Sequence, residues 1–426
     1  MITLGLGGGF RPGQLTFFDN ASAGEATVET DAGGETVFDG NSTAANATFT
    51  TVGGVLIFSI TSTAADSVVT CSEGGGASFD SFATAGNGRF TSNGATDSGK
   101  PGTFVNFLSN TTAGDATFII NGGTVRDASG GVMAFFQDAT AGSAKVRANG
   151  GAAGGAGGSI QFNDKSDGGL ARLTLSGNGN LDIGNHGTGL TTVGSIQGDG
   201  LVFLGGRALA VGSNNRSTTF SGVIQDGGIS QGTGGSLTKI GTATLKLSGA
   251  NTYTGGTTVS EGALTIGNTT GSGTGSGPVQ VNSGTLTGPG IIAGAVTIGS
   301  GSGTGALLAP RRGEAQPTAL TVQASLTYKA DATYLCRLST QRAKSDEVIA
   351  NGVAIESGAQ FTLQVAGRKR LPAGTTFTLI SNTSANPIAG AFANLPDGST
   401  LSAGPNTLQV SYTGGDGNDL TLTVLP

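Results

Sequence analysis

The chain has 426 residues, of which 79 are glycine and none is tryptophan, and only 11% are charged. Glycine without a strict triplet excludes collagen, and 36% hydrophobic residues are too many for a disordered linker. The net charge of −6 is mild for this length and argues against nucleic-acid binding, which needs a basic face. No apolar run approaches the roughly 18 to 20 residues of a membrane helix, so no membrane span is expected in this chain.

Ile2, Leu4 and Leu6 alternate from the start, with no helix or charged segment ahead of them. An open strand edge there is expected to be uncapped and to allow end-to-end self-association. A repeat then emerges on Phe17, Phe38, Phe58, Phe79, Phe107, Phe135 and Phe162, at intervals of 21, 20, 21, 28, 28 and 27 residues. Six and seven positions after each comes a small pair: Ala23-Gly24, Ala44-Ala45, Ala64-Ala65, Ala85-Gly86, Ala113-Gly114, Ala141-Gly142 and Gly168-Gly169. Eleven positions after each comes an apolar residue: Val28, Phe49, Val69, Phe90, Phe118, Val146 and Leu173. In a parallel solenoid each coil sits on the previous one, so equivalent positions form columns through the interior. The phenylalanines and the second apolar set predict two inward columns. The small pair predicts a sharp corner.

The step from about 21 to about 28 residues marks three insertions, near Asn93–Gly102, Asn121–Gly131 and Gly150–Gly158. They share one station, so they either project as loops from one face or wind into a longer third strand. From about Leu173 the pattern changes. Its clearest part is SLTKIGTATLKLSGANTYTGGTTVSEGALTIG, Ser236 to Gly267, where short alternating runs are separated by polar, glycine-rich bends. After Pro310-Arg311-Arg312 the charge rises and the alternating runs lengthen, as in Ala332 to Leu338 and Phe361 to Val365. This portion reads as a modified C-terminal cap.

The Ser236–Gly267 segment resembles the autotransporter-associated β-strand repeat of bacterial surface and secreted proteins, in LSGANTYTGGTTV and EGALTIG above all. Similar features continue in SDEVIANGVAIESGAQFTLQV, LPAGTTFTLIS and SYTGGDGNDLTLTV, so the resemblance runs from about Leu173 to the C-terminus. It implies a right-handed β-helix passenger, associated with display or adhesion rather than with one chemistry. Against that background, MITLGLGGGF lacks a signal peptide, and no outer-membrane barrel follows Pro426. A fragment, a processed chain or a displaced start is the corresponding expectation.

The chemistry-bearing residues are sparse. Gly414-Gly415-Asp416-Gly417-Asn418-Asp419 looks like one calcium nonapeptide, but such sites need tandem copies, so it reads as a turn. Pectate-lyase-like β-helices need acids repeating at one station, and glycoside hydrolysis needs two carboxyls about 5 to 10 Å apart. Asp19, Asp138 and Asp164 do not keep one offset from their phenylalanines, and Asp346-Glu347 matches the structural motif of the resembled repeat. His186 is the one histidine and lies in a Gly/Asn turn, where exposure is expected; a histidine-rich metal site is excluded. Arg311-Arg312 and Arg368-Lys369-Arg370 read as solvated turns or polysaccharide contacts. Gly177-Asn178-Gly179 precedes a strand, not a helix, and so cannot be a phosphate loop. Cys71 and Cys336 are too far apart in a solenoid for a disulfide.

The sequence therefore predicts an all-β protein, a right-handed single-stranded parallel β-helix with a modified C-terminal cap. Its parts are residues 1–172, the phenylalanine coils; 173–310, the repeat coils; and 311–426, the last coils and cap. It predicts an extracellular structural or adhesive passenger at the bacterial surface, with a cell-surface glycan or protein as ligand. No catalytic residue, metal or cofactor is expected. The alternative is a carbohydrate-active or glycan-binding β-helix.

Overall fold

The computed structural model describes residues 2–4, 13–187, 189–310 and 319–426. Every regular element among them is a β-strand. Two compact units divide the chain at Gly235 and Ser236. Ile2–Leu4 is a strand paired with Thr27–Asp31; Leu6, Arg311 and Arg312 lie outside the described residues.

In the first unit the predicted phenylalanine period is the register of a parallel ladder. Gln14–Phe17, Glu35–Phe38, Val55–Phe58, Gly76–Phe79, Phe104–Phe107, Val132–Phe135 and Ser159–Phe162 pair in sequence, each phenylalanine directly opposite the next. From Phe38 to Phe162 these side chains are fully buried. Successive rings are stacked with centroids 4.5 to 4.9 Å apart, which is the separation of neighbouring strands. The second apolar set forms its own ladder, from Val28 opposite Phe49 through to Val146 opposite Leu173. Where both columns carry phenylalanine the rings meet edge to face, as at Phe38–Phe49, 5.6 Å and 86°, and Phe107–Phe118, 5.9 Å and 81°.

The third side of the coil is a line of single parallel bridges: Ser22, Thr43, Thr63, Thr84, Thr112, Thr140 and Asp167. It lies five residues past each phenylalanine and was not recognised in the sequence. Each of these side-chain oxygens accepts the amide two residues on, from Ser22 with Gly24 at 3.1 Å to Asp167 with Gly169 at 2.7 Å. Those amides belong to the second member of each small pair, all seven of which have φ between 47° and 58°. The predicted corner is thus a left-handed turn, where a Cβ is disfavoured. A second left-handed column lies two residues past each phenylalanine, with φ between 53° and 66° at Asp19, Gly40, Ile60, Ser81, Ser109, Gln137 and Asp164. Both cysteines are buried and free. Burial pushes the Cys71 thiol up to about 11 and raises Cys336 as well, so neither is a reactive thiolate at neutral pH.

The second unit repeats the principle with other side chains. Leu245, Leu264, Leu286, Leu308, Tyr334 and Phe361 are opposite one another in turn. Another parallel ladder runs Ile291–Ile292, Ala319–Val322, Glu347–Ala350 and Thr376–Asn382. The predicted cap has a definite form. Thr376–Asn382 is joined antiparallel by Asp419–Val424, then Asn406–Gly414 and Thr400–Ala403 follow antiparallel, which ends the winding. Tyr328, Tyr334, Phe361 and Phe392, with centroids 5.1 to 6.1 Å apart, fill the interior beneath this sheet.

Truncating Phe107, which stacks on rings above and below, should destabilise the protein by about 3–5 kcal/mol. Phe17→Ala removes a half-buried ring and should cost clearly less. Chemical denaturation of the two variants tests this, and equal losses would contradict the continuous column.

Candidate functional site

A concave feature lies where the coils lengthen. The three insertions are loops rather than a third strand, closed at the base by Thr103 N to Asn93 O, Gly131 N to Asn121 O and Gly158 N to Asn149 O, at 2.8 to 3.0 Å. They stack on one another through backbone bonds such as Ala95 N to Ser129 O, 2.8 Å, and Gly123 N to Ala156 O, 2.8 Å. At their root an amide ladder joins Asn149 to Asn121 and Asn121 to Asn93, at 2.8 and 2.9 Å. This stacking requires glycine, since a Cβ on Gly130 would lie 2.0 Å from the carbonyl oxygen of Gly157. The loops wall a cleft of about 740 Å³ whose charged lining residues are Glu73, Asp97 and Lys100, all solvent-exposed. Its remaining lining is small residues, hydroxyls, amides and backbone, which suits hydrogen bonding to a polar partner.

The acids singled out in the sequence are not gathered into this cleft. Asp19 and Asp164 occupy the left-handed corner two residues past the phenylalanines, and Asp138 lies one residue further along its own corner. Asp164 Oδ2 accepts the Gln137 amide at 3.0 Å, so it closes the turn of the preceding coil. Asp346 is fully buried, and its Oδ2 accepts the Arg337 amide at 3.3 Å. Burial, and then the neighbouring Asp419, raise the Glu347 carboxyl above its ordinary value. Gly415–Asn418 form the hairpin turn before the last strand, and Asp419 Oδ1 accepts the Asn382 amide at 2.9 Å. Among the described residues, no group of three or more His, Cys, Asp or Glu side chains could hold a metal.

His186 corrects the expectation of exposure. It is only 5% exposed, its Nε2 lies 3.0 Å from the Ser166 carbonyl oxygen, and its segment bridges to Asp164. A Gly/Asn turn at a coil edge is covered by the coils on either side, a neighbour effect that local composition does not carry. Gly177-Asn178-Gly179 is a turn followed by the strand Asn180–Asp182, as expected. Arg368, Lys369 and Arg370 are exposed, while their backbone is pinned by Lys369 N to Thr340 Oγ1 at 3.2 Å.

The Ser236–Gly267 segment owes its pattern to buried polar groups. Asn251 Nδ2 donates to Gly273 O at 2.7 Å, and the Tyr253 hydroxyl meets Thr257 Oγ1 at 2.5 Å inside the core. Lys239, 1% exposed, aims its ammonium at the carbonyl oxygens of Ile240, Gly241 and Glu261, at 2.6, 2.7 and 3.3 Å. Burial pulls this ammonium down to about 8, and Glu261 opposes the shift. None of these internal roles is visible in alternation alone.

Comparison with known proteins agrees with that segment. Residues 237–266 match the passenger-associated-transport-repeat family. No curated protein matches the sequence. Among solved structures, the Haemophilus influenzae Hap adhesin is similar at 12% identity and a TM-score of 0.30, over 96% of this chain. The chain spans 43% of the length of that structure. A passenger-type repeat is therefore set within the coils of a parallel β-helix.

Two substitutions test this description. Gly130→Ala should displace the 121–131 loop and speed amide exchange across all three loops, whereas Ser98→Ala, at an exposed position of the first loop with ordinary backbone geometry, should leave the neighbouring loops protected. Lys239→Met leaves three carbonyls without their donor and should cost on the order of 1–3 kcal/mol at neutral pH. Between about 8 and the ordinary lysine value the unfolded chain holds this proton more tightly than the folded one. The stability of the native protein relative to the variant should therefore rise with pH across that window, over the common decline that the raised thiols of Cys71 and Cys336 impose on both. Parallel pH profiles would contradict the buried ammonium.

Proposed function

We propose that this chain is an extracellular structural and adhesive passenger, a β-helix that presents loops 93–102, 121–131 and 149–158 at a bacterial surface. The observation that carries this reading is the passenger-type repeat at residues 237–266, whose distinctive polar residues, Asn251, Tyr253 and Thr257, are built into the coil interior. Stacked side chains fill that interior, which leaves the outer faces and loops for recognition. The partner is a glycan or a protein at a cell surface. We also propose that the chain does not catalyse a reaction. Asp164, Asp346 and Asp419 are each engaged with a backbone amide that holds the fold together.

Beads coated with the purified chain should adhere to epithelial cell layers more than beads coated with an unrelated acidic protein. Shortening all three loops should reduce that adhesion. Adhesion no better than the control would overturn the reading. The pectate-lyase-like alternative is tested separately on polygalacturonate, where release of unsaturated products by the chain would replace the adhesive reading with an enzymatic one.

A further inference from the structure

The outward face of the second ladder in the first unit carries an ordered set of cations. Along its strands, Arg89, Thr117, Lys145 and Arg172 are opposite one another in turn, and so are Thr91, Ile119, Arg147 and Thr174. Arg89, Lys145, Arg147 and Arg172 are all exposed, and among the described residues none makes a side-chain hydrogen bond or an ion pair. From Thr48 and Thr50 to Ser195 and Gln197 neither outward column contains a carboxylate. Two acids lie at the flanking corner, two residues ahead of these strands' first outward residues. They are Asp66, which accepts from Asn87 Nδ2 at 3.2 Å, and Asp115, two residues ahead of Thr117.

Four unpartnered cations on one face are unusual in a chain of net charge −6 with 21 basic residues. Their arrangement is linear. Arg89 and Arg172 stand three coils apart, about 14 Å at the spacing of parallel strands, with Lys145 between them and Arg147 beside it. We propose that this face binds a linear acidic polysaccharide, laid along the stack of strands so that successive anionic sugars meet successive coils. The coil rise is close to the length of one sugar in an extended chain, and the hydroxyl of Thr117 lies between Arg89 and Lys145 in their column, with that of Thr91 in the adjacent column, to meet sugar hydroxyls. Charge complementarity selects a polyanion, and the flat, single-file geometry selects a linear one. Single-stranded nucleic acid would need aromatic platforms, and neither column has an aromatic side chain between Thr117 and Gln197. An anionic membrane would need a cluster of protruding apolar groups, whereas the exposed Val68, Ile119 and Leu170 lie on separate strands, each two coils from the next.

This inference names a ligand class for the adhesive reading and depends on that reading only for its setting. The test uses the full chain with a size series of heparin oligosaccharides and with polygalacturonate, which separates sulfated from carboxylate-only chains. Affinity should rise with oligosaccharide length until the chain spans the four coils. The Arg147→Ala/Arg172→Ala variant should bind at least about tenfold more weakly, with the slope of log affinity against log salt reduced by about one per cation removed. The Arg368→Ala/Lys369→Ala/Arg370→Ala variant, which removes more charge from an exposed cluster in the other unit, should bind like the parent. Circular dichroism confirms that each variant is folded. Binding to neither polysaccharide would overturn the proposal. So would equal loss in the Arg368–Arg370 variant, which would make the effect one of net charge, or equally tight binding of single-stranded DNA or phosphatidylserine vesicles through the same residues. If beads carrying Arg147→Ala/Arg172→Ala adhere to cells as the parent does, this inference falls and the adhesive reading stands.

Discussion

The structure depends on one coincidence of lengths. Parallel strands lie about 4.7–4.9 Å apart, and offset aromatic rings stack comfortably at nearly the same separation. A phenylalanine at a fixed station can therefore stack on its counterpart in every coil without distorting the backbone ladder, as the 4.5 to 4.9 Å centroid spacings show. Each ring buries on the order of 1.5–3 kcal/mol of apolar surface and gains roughly 0.5–1.5 kcal/mol more from its neighbour. No coil holds that stabilisation alone, because every stacking contact belongs to two coils. Where the period ends the constraint persists with other shapes: Ile183 and Leu204, then the leucines opposite Leu245, keep the interior filled.

The corners follow from the same stacking. Once strands are held in register, their connections are stacked too, and the backbone must turn at the same place in every coil. The left-handed conformation at the small pair meets that need, and the hydroxyl or carboxylate two residues earlier ties down the amide it exposes. Ala45 and Ala65 show that the conformation is imposed by the coil rather than chosen by the residue, since alanine adopts it only at a cost. Surface properties are set by the same repetition. An outward residue becomes a column when its neighbours match it, so three cations can form a line with a fourth beside it and three insertions can form one wall.

Stations that combine large apolar residues with a fixed period were legible in the sequence, because burial requires a side-chain type. The two inward columns, the small corner and the shared site of the insertions were all accessible in this way, and the longer strands after residue 310 marked a modified cap without showing that its strands turn antiparallel. The line of threonines was harder to see, since serine, threonine and aspartate are common in this chain and the bond involved is local. Buried polar groups were harder still. Lys239 and His186 are interior because of what the adjacent coils place over them, and alternation within one strand cannot report a neighbour some twenty residues away. The loop-walled cleft and the basic face are sums over several coils. They appear only when the register is known to the residue.

The central claim is that the chain is held by in-register columns of stacked side chains, and a double-mutant cycle tests it most directly. Phe79 and Phe107 are stacked neighbours at 4.6 Å, whereas Phe38 and Phe107 are separated along the column by Phe58 and Phe79. Replacing each phenylalanine by leucine, singly and in pairs, and measuring unfolding free energies gives the coupling in each pair. The account predicts a coupling of about 0.5–1.5 kcal/mol for Phe79 with Phe107 and additivity for Phe38 with Phe107. Additivity in the stacked pair, or equal coupling in both, would contradict it.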